Sequence, residues 1–307
     1  MFETARPADY LTRLAASDLG AAYKTIAIEE LAIEAGAVIV DLGCGPGADL
    51  AALSDATGPH GAVLGLDHDL DAVAQARDRA AGRSNIAVRV ADAHHLDLAT
   101  AEVDRLHTDR VLQHVADPAQ VLSEVVRVLR PGGRAVFAEP DWDTLVIDHP
   151  NVALAAAYRS FVVDKVVRNA RIGRQLHRLA HSAGLHAARV LPLTTTFLDA
   201  AQADRVLGFE RVTDRAIAAG YLDKTGAKEW LQHLQTAPFF ASVSLFVTSC
   251  ELETTSDAQP RRRTEPAPAG HVKSLPDQDR SPGSCPHGLD SLHVGYRAQG
   301  GVMVVPS

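Results

Sequence analysis

VIVDLGCGPGADL, residues 38–50, runs an aliphatic stretch into three glycines at alternate positions, Gly43, Gly45 and Gly47, with Asp41 two residues ahead of the first. The aliphatic residues read as a buried strand, and the glycines let the chain turn sharply into a following helix. A turn of this kind presents backbone N–H groups and the positive end of a helix to a ligand. Two cofactor chemistries use it. Read as G-x-G-x-x-A, with Gly43, Gly45 and Ala48, it satisfies the dinucleotide fingerprint, and Asp67 follows at about the distance from which an acid takes a ribose. Asp41 argues for the other chemistry, because a carboxylate in the mouth of the turn repels a pyrophosphate and attracts an ammonium. Asp92, at the end of a third strand, can read an adenine edge together with the Ala93 amide.

Outward from the turn, short aliphatic runs alternate with amphipathic helical segments, the pattern of a parallel sheet covered by helices. The strands are expected at AVIVDL, AVLGLD, IAVRVAD, VDRLHT and RAVFAE. Between the last two a helix is expected with Asp117 as its N-cap and Pro118 in its first turn, stopped by RPGG at 130–133. Residues 1–35 read as N-terminal helices docked ahead of the sheet and closing over the ligand. The domain proper is expected over 36–254. Two stretches of helical period near 144–171 and 199–237 form inserted cap elements, and the last two strands lie at HAARVLPLTT and FFASVSLFVTS.

The segment 255–307 differs in composition: 15 of its 53 residues are apolar and seven are proline, too few apolar groups to offset the entropy of ordering. It reads as a disordered or loosely attached tail. The 307-residue chain carries a formal charge of −8, which gives no electrostatic reason to expect nucleic acid or an anionic membrane as partner. A small molecule fits better. Cys44, Cys250 and Cys285 are far apart in sequence and form no C-x-x-C pair, so neither a disulfide framework nor a zinc knuckle is expected. No apolar leader or long apolar span is visible, and the expected location is cytoplasmic. Oligomeric state is unreadable from the sequence.

Five stretches in order, VDLGCGPG, GLDHD, ADAHHL, VDRLHTDRVLQHVADP and VLRPGGR, resemble the class I S-adenosylmethionine-dependent methyltransferases over about residues 20–250. Locally, LRPGGRAVFAEPDWDTLVID and RIGRQL resemble bacterial small-molecule methyltransferases of natural-product pathways. The resemblance implies an α/β, Rossmann-like sheet of seven strands in the order 3-2-1-4-5-7-6 with strand 7 antiparallel. It implies S-adenosyl-L-methionine as cofactor. Its methionine part would lie on Asp41 and the amides around Gly43, Gly45 and Gly47, its ribose on Asp67, and its adenine beside His68 with its edge on Asp92 and Ala93. Asp109 would approach the methionine moiety.

Methyl transfer from a sulfonium is an in-line displacement with a neutral leaving group, so alignment and exclusion of water do most of the work. A base is needed only where the nucleophile must lose a proton, and His114, beyond the fourth strand, is the first candidate. EPDWD, read as following directly on the fifth strand, offers Asp141 to orient an acceptor and Trp142 to stack on a ring; Glu139 or Asp141 facing the acceptor would suit carbon methylation. Tyr23 on the N-terminal helix is a further acceptor-side candidate. His177 and His181 stand four apart, a ligand spacing, but Arg178 replaces the glutamate of H-E-x-x-H, and no metal is expected. The rival reading of the turn, a nicotinamide-dependent oxidoreductase, lacks a hydride-handling constellation such as Y-x-x-x-K.

Overall fold

The computed structural model describes residues 18–236 and 238–254. The first 17 residues of the expected N-terminal helices and the expected tail at 255–307 lie outside them. Helix α1 (Asp18–Glu30) precedes the alternating core: β1 (Val38–Leu42), α2 (Leu50–Thr57), β2 (Ala62–Asp67), α3 (Leu70–Ala80), β3 (Ile86–Val90), β4 (Val103–Asp109), α4 (Pro118–Val128) and β5 (Leu129–Ile147). Then follow α5 (Val152–Phe161), a π-helical turn (Val162–Val166), α6 (Ile172–Ala183), β6 (Leu185–Phe197), α7 (Ala200–Leu207), α8 (Phe209–Ala218), α9 (Lys224–Leu234) and β7 (Ala241–Leu252). The seven strands form one sheet in the order β3-β2-β1-β4-β5-β7-β6. The pairs from β3 to β5 are parallel, and β7 runs antiparallel to both β5 and β6. The expected sheet order is therefore the observed one.

Side chains alternate across the sheet, so each strand feeds two cores. On one face Ile39, Val63, Val136 and Val247 pack with Ala27 and Leu31 of α1 and with α2 and α3. On the other, Val40, Leu42, Leu106 and Phe137 pack with α4 and α6. Helix α4 starts as its sequence predicts: the Asp117 carboxylate accepts from the amides of Ala119 and Gln120, and Pro118 stands in the first turn, where no amide is needed.

The structure corrects the sequence reading of three segments. β5 begins at Leu129, directly after α4, and the register skips from Val103↔Leu129 to Arg105↔Arg134, so Pro131, Gly132 and Gly133 form an irregularity inside the strand. At its other end β5 continues to Ile147, so EPDWD lies within the strand, with Glu139 opposite Phe246 and Asp141 opposite Ser244 on β7. The stretch read as helical from residue 144 thus opens with strand, because Leu145 and Ile147 bury one face against a partner a hundred residues later in the chain. Finally, ADRVLGFERVTDRAIAAG, read as one helical stretch, is two helices broken at Gly208, whose φ of 61° is left-handed and ends α7.

β4 ends level with Ala138, and the nine further residues of β5 run alongside only six of β7, Phe246 to Ala241, because the register breaks between Asp141 and Val146; the projection past β4 is therefore roughly 20 Å at about 3.3 Å per residue. On this projection and the start of β7 sits a third core, made by Leu145, Ile147, Tyr158, Phe209 and Trp230. Trp230 is its centre, fully buried and stacked on Tyr158 with ring centroids 5.0 Å apart. The helices α5 and α7–α9 thus form a cap with a core of its own, beyond the carboxyl ends of the parallel strands, where open α/β sheets hold their ligands.

Candidate active site

The glycine turn folds back over β2. The amides of Gly43 and Cys44 both donate to the Leu66 carbonyl, at 2.7 and 3.0 Å, and the Gly45 amide donates to the Asp67 carboxylate at 2.8 Å. Asp67 also accepts from the Asp69 amide at 2.9 Å, so one carboxylate fixes both the turn and the end of β2. Gly43, Gly45 and Gly47 all have positive φ, 73°, 51° and 80°. At Gly43 space is closed as well: an added Cβ would stand 2.2 Å from Cγ2 of Val111.

The cleft beside this turn is lined by Lys24, Asp41, Gly45, Asp49, Asp109 and Arg110 among others. Asp41 and Asp109 come from the carboxyl ends of β1 and β4, and Lys24 reaches over from α1. The Lys24 ammonium is bonded to Asp49 and, at 2.7 Å, to Asp109. Tyr23, the neighbour of Lys24 on α1, donates its hydroxyl to Asp109 at 2.9 Å, and Arg110 bonds the same carboxylate at 3.1 Å. Burial alone would raise the pKa of Asp109; Arg110 and Lys24 outweigh it and hold the carboxyl well below its usual range. Burial first, and Asp109 after it, push the Tyr23 phenol well above its usual range despite the nearby Arg110, so this hydroxyl is a donor at neutral pH. Arg110 has a φ of 58°, a strained backbone for a residue with a side chain, at the point where the chain leaves β4 for the cleft.

Asp41 lies behind this layer, 2% exposed, with Oδ1 2.8 Å from Nδ1 of His107, itself 1% exposed. Its other oxygen, Oδ2, is buried without a hydrogen-bond partner. Further along the sheet edge, the Ala91 amide donates to the Asp67 carbonyl at 2.9 Å, which brings Asp92 and Ala93 next to Asp67. The Asp92 carboxylate is largely exposed and accepts from the amide of His94 at 2.9 Å and faces its Nδ1 at 2.7 Å; these bonds lower its pKa. The His68 side chain is exposed and lies 3.3 Å from Asp67. Asp41, the three glycines, Asp67, His68, Asp92, Ala93 and Asp109 therefore line up along the carboxyl edge of β1 to β4, and Tyr23 joins them from α1.

The three candidates on β5 are placed differently. Glu139 is fully buried and accepts from the amides of Val111 at 2.8 Å, Leu112 at 2.6 Å and Gln113 at 3.3 Å, holding the turn after β4. Asp141 is fully buried and paired with Arg174 of α6, whose Nη2 donates at 3.0 Å. The Trp142 ring belongs to the cap core, and its Nε1 donates to Gln113 at 2.8 Å. The three side chains expected to face an acceptor are thus each engaged by neighbouring elements, Glu139 and Asp141 on the paired part of β5 and Trp142 in the register break that follows Asp141. His114 is exposed at the end of the turn that Glu139 holds, its amide donating to the Val111 carbonyl at 2.9 Å.

His177 and His181 are exposed on α6. Among the described residues the one trio of metal-binding side chains close enough to share an ion is Asp41, Asp49 and His107 in the cleft, where the Lys24 ammonium is already bonded to Asp49. Sequence reading missed Lys24, Asp49, His107 and Arg110. The available signals were a histidine next to Leu106 near the carboxyl end of the strand VDRLHTD, and a lysine beside Tyr23. A separate hollow of about 560 Å³ lies on the cap between α5 and the end of β5, lined by Val146, Val152, Arg159 and Phe240, and shares no residue with the cleft. No helix among the described residues is long and apolar enough to cross a membrane.

Residues 33–184 match a family described as a methyltransferase domain. The chain is 49% identical over 249 residues to a 37.1 kDa protein of transposon TN4556 in Streptomyces fradiae, a match covering 80% of this chain and 72% of that one. It is also 28% identical over 186 residues to an arsenite methyltransferase of Halobacterium salinarum, covering 58% of this chain and 45% of that protein. With these matches beside the sheet order and the glycine turn, the family is settled. The chain belongs to the class I S-adenosylmethionine-dependent methyltransferases. Its cofactor is S-adenosylmethionine, and the nicotinamide reading of the turn falls away. The fold agrees: a geranyl diphosphate methyltransferase solved with S-adenosylmethionine superposes with a TM-score of 0.52 at 16% identity, over 81% of this chain and 92% of that one. The YcgJ protein of Bacillus subtilis gives 0.55 at 15% identity, over 76% and 99%. The methyltransferase's own residues fit the cofactor at one telling atom. Asp41 Oδ2, a buried acceptor without a partner in a residue lining the cleft, is what the ammonium of the methionine end requires. The match to the arsenite enzyme spans about half of that protein's length.

Proposed function

We propose that this methyltransferase acts on an oxygen or nitrogen atom of a small organic acceptor, in the cytoplasm and in natural-product chemistry. Relatives whose names specify an acceptor support a small one: arsenite, and demethylmenaquinone in a Shouchella clausii enzyme that is 34% identical over 122 residues, 39% of this chain and 52% of that one. The observation that carries the choice of atom is the commitment of both β5 carboxylates. Carbon methylation is favoured by a carboxylate facing the acceptor, and Glu139 and Asp141 are fully buried on amides and on Arg174. That leaves Tyr23, Arg110 and His114 on the acceptor side.

When bound, S-adenosylmethionine supplies a methyl group on a sulfonium with a neutral leaving group. In this reading Asp41 and the amides around Gly43, Gly45 and Gly47 hold its amino-acid end, with Asp109 beside them. Asp67 takes the ribose hydroxyls, while His68, Asp92 and Ala93 flank the adenine. Tyr23 and Lys24 tie α1 across the cleft through Asp109 and so keep water from the reacting atoms. His114 takes the acceptor's proton where there is one. Desolvation first, with the positive charge of Arg110 adding to it, pushes its imidazole down to about 4, far below a phenol's of about 10, so it is neutral at pH 7 and the proton moves as the new bond forms and not before.

Calorimetric titration with S-adenosylmethionine, S-adenosylhomocysteine, NAD and NADP tests the cofactor side. Both adenosyl ligands bind, and Asp67→Ala weakens them about 10- to 100-fold, the loss of a hydrogen bond to a charged group. Unchanged affinity in the variant removes Asp67 from the ribose. Methyl-labelled cofactor is then incubated with phenols, amines and nitrogen heterocycles, and the product's methyl carbon is read by NMR. A methyl on carbon, or transfer confined to nucleic acid or protein, defeats the proposal.

A further inference from the structure

We infer that His107 is a positioning residue for the cofactor's amino-acid end: it holds Asp41 so that the second carboxylate oxygen is the one left to face the ligand. This rests on the reading that Asp41 receives the ligand ammonium. Asp41 and His107 are register partners on the adjacent parallel strands β1 and β4, so their side chains leave the sheet side by side on one face. Both are nearly inaccessible, and Nδ1 meets Oδ1 at 2.8 Å. That bond occupies one oxygen and fixes the carboxylate's rotation, leaving Oδ2 buried and without a partner.

The surroundings explain why such a brace is needed. Asp49 and Asp109, from the start of α2 and the end of β4, bring negative charge to the same cleft, while Lys24 from α1 and Arg110 bring positive charge. An unbraced Asp41 carboxylate could take a proton, driven by burial and by Asp49, or turn toward the Lys24 ammonium; either removes the acceptor a ligand ammonium uses. The imidazole opposes both. It donates from Nδ1 to the ionised carboxylate, as the imidazolium or as the neutral tautomer protonated there, and Asp41 favours the charged form, raising the His107 pKa against the opposing effect of burial. Nothing in the transfer step needs His107 to touch the reacting atoms. Its effect is confined to the methionine end, some distance from the ribose and adenine residues Asp67 and Asp92.

That confinement gives the test. S-adenosylhomocysteine and 5′-methylthioadenosine share the adenosyl group and thioether, and only the first has the amino-acid end. Both are titrated calorimetrically into the wild type and into Asp41→Asn, His107→Leu, His107→Asn and His107→Gln, with thermal unfolding recorded for each. Asp41→Asn and His107→Leu are expected to weaken S-adenosylhomocysteine by about 30-fold and 5′-methylthioadenosine by less than about three-fold. His107→Asn, whose amide nitrogen can replace Nδ1 as the donor, stays within about five-fold for both ligands, and His107→Gln, which cannot place a donor there, follows His107→Leu. Equal losses for the two ligands in His107→Leu, or no loss, overturn the inference. If that variant does not fold, equal ligand preference in the Asn and Gln variants does so instead. An Asp41→Asn protein with wild-type preference shows that the reading of Asp41 itself has failed.

Discussion

Gly43→Ala is expected to weaken S-adenosylhomocysteine binding by at least about 100-fold and to lower the melting temperature by about 5–10 °C, as a loss of about 2–3 kcal/mol would do. Two costs add. The φ of 73° belongs to the left-handed region, where a side chain costs about 1–2 kcal/mol. The new Cβ would also stand 2.2 Å from Cγ2 and 3.0 Å from Cγ1 of Val111, so one of the two turns must move. Neither moves freely. The Gly43 amide is spent on the Leu66 carbonyl, and the Val111 amide on Glu139. The glycine turn therefore shifts away from β4, and with it the amides and the Asp41 carboxylate that receive the methionine end. Replacing Val111 with glycine in the same chain should restore part of the affinity, since it removes the collision and leaves only the backbone cost. Calorimetry on both variants checks this: a Gly43→Ala protein that binds within a few-fold of the wild type, or a double variant no better than the single, shows that the contact with Val111 does not position the turn.

The cofactor edge was legible in the sequence because its signals are local. Asp41, the three glycines and Asp67 belong to strand-turn-helix units whose geometry follows from spacing within some thirty residues, and the capped start of α4 is complete within four residues, Asp117 to Gln120. What the sequence hid depends on partners far along the chain. β5 runs to Ile147 because β7 begins at Ala241 to pair with it, and nothing near residue 144 announces that. The partners of Glu139, Asp141 and Trp142 were hidden for a related reason. Successive strand residues point to opposite faces, so nearness to the carboxyl edge does not say which side chain meets the ligand. Lys24 with Asp109 and His107 with Asp41 are 85 and 66 residues apart, joined only by the docking of α1 and by the register of β1 on β4.

Glu139→Ala is expected to leave the protein largely unfolded or to lower its melting temperature by well over 10 °C, because Glu139 holds the turn on which Arg110, Val111 and His114 stand. Its removal leaves up to three amides, those of Val111, Leu112 and Gln113, without an acceptor in a buried place, at about 1–3 kcal/mol each. The sum approaches the whole stability of a typical domain, about 5–15 kcal/mol. Glu139→Gln is milder, since its carbonyl oxygen can still serve Val111 and Leu112 and only the long bond to Gln113 is lost. It also isolates a pH effect. Burial pushes the Glu139 carboxyl up to about 8, with the amides opposing it only in part. A folded pKa above the unfolded one means that the folded chain keeps a proton the unfolded chain releases, so stability falls as pH rises from about 4.5 to 8 and levels off beyond. Asp109, shifted the other way, acts below this window, but Asp41 and His107 are raised as well and act with the same sign. The wild-type slope alone is therefore ambiguous, and the difference between the wild-type and Glu139→Gln profiles is the quantity to measure. Chemical denaturation at pH 5, 6.5 and 8 should show the wild type losing more stability than the glutamine variant over that range. Parallel profiles would mean that Glu139 is already ionised at pH 5, held in that form by its three amides.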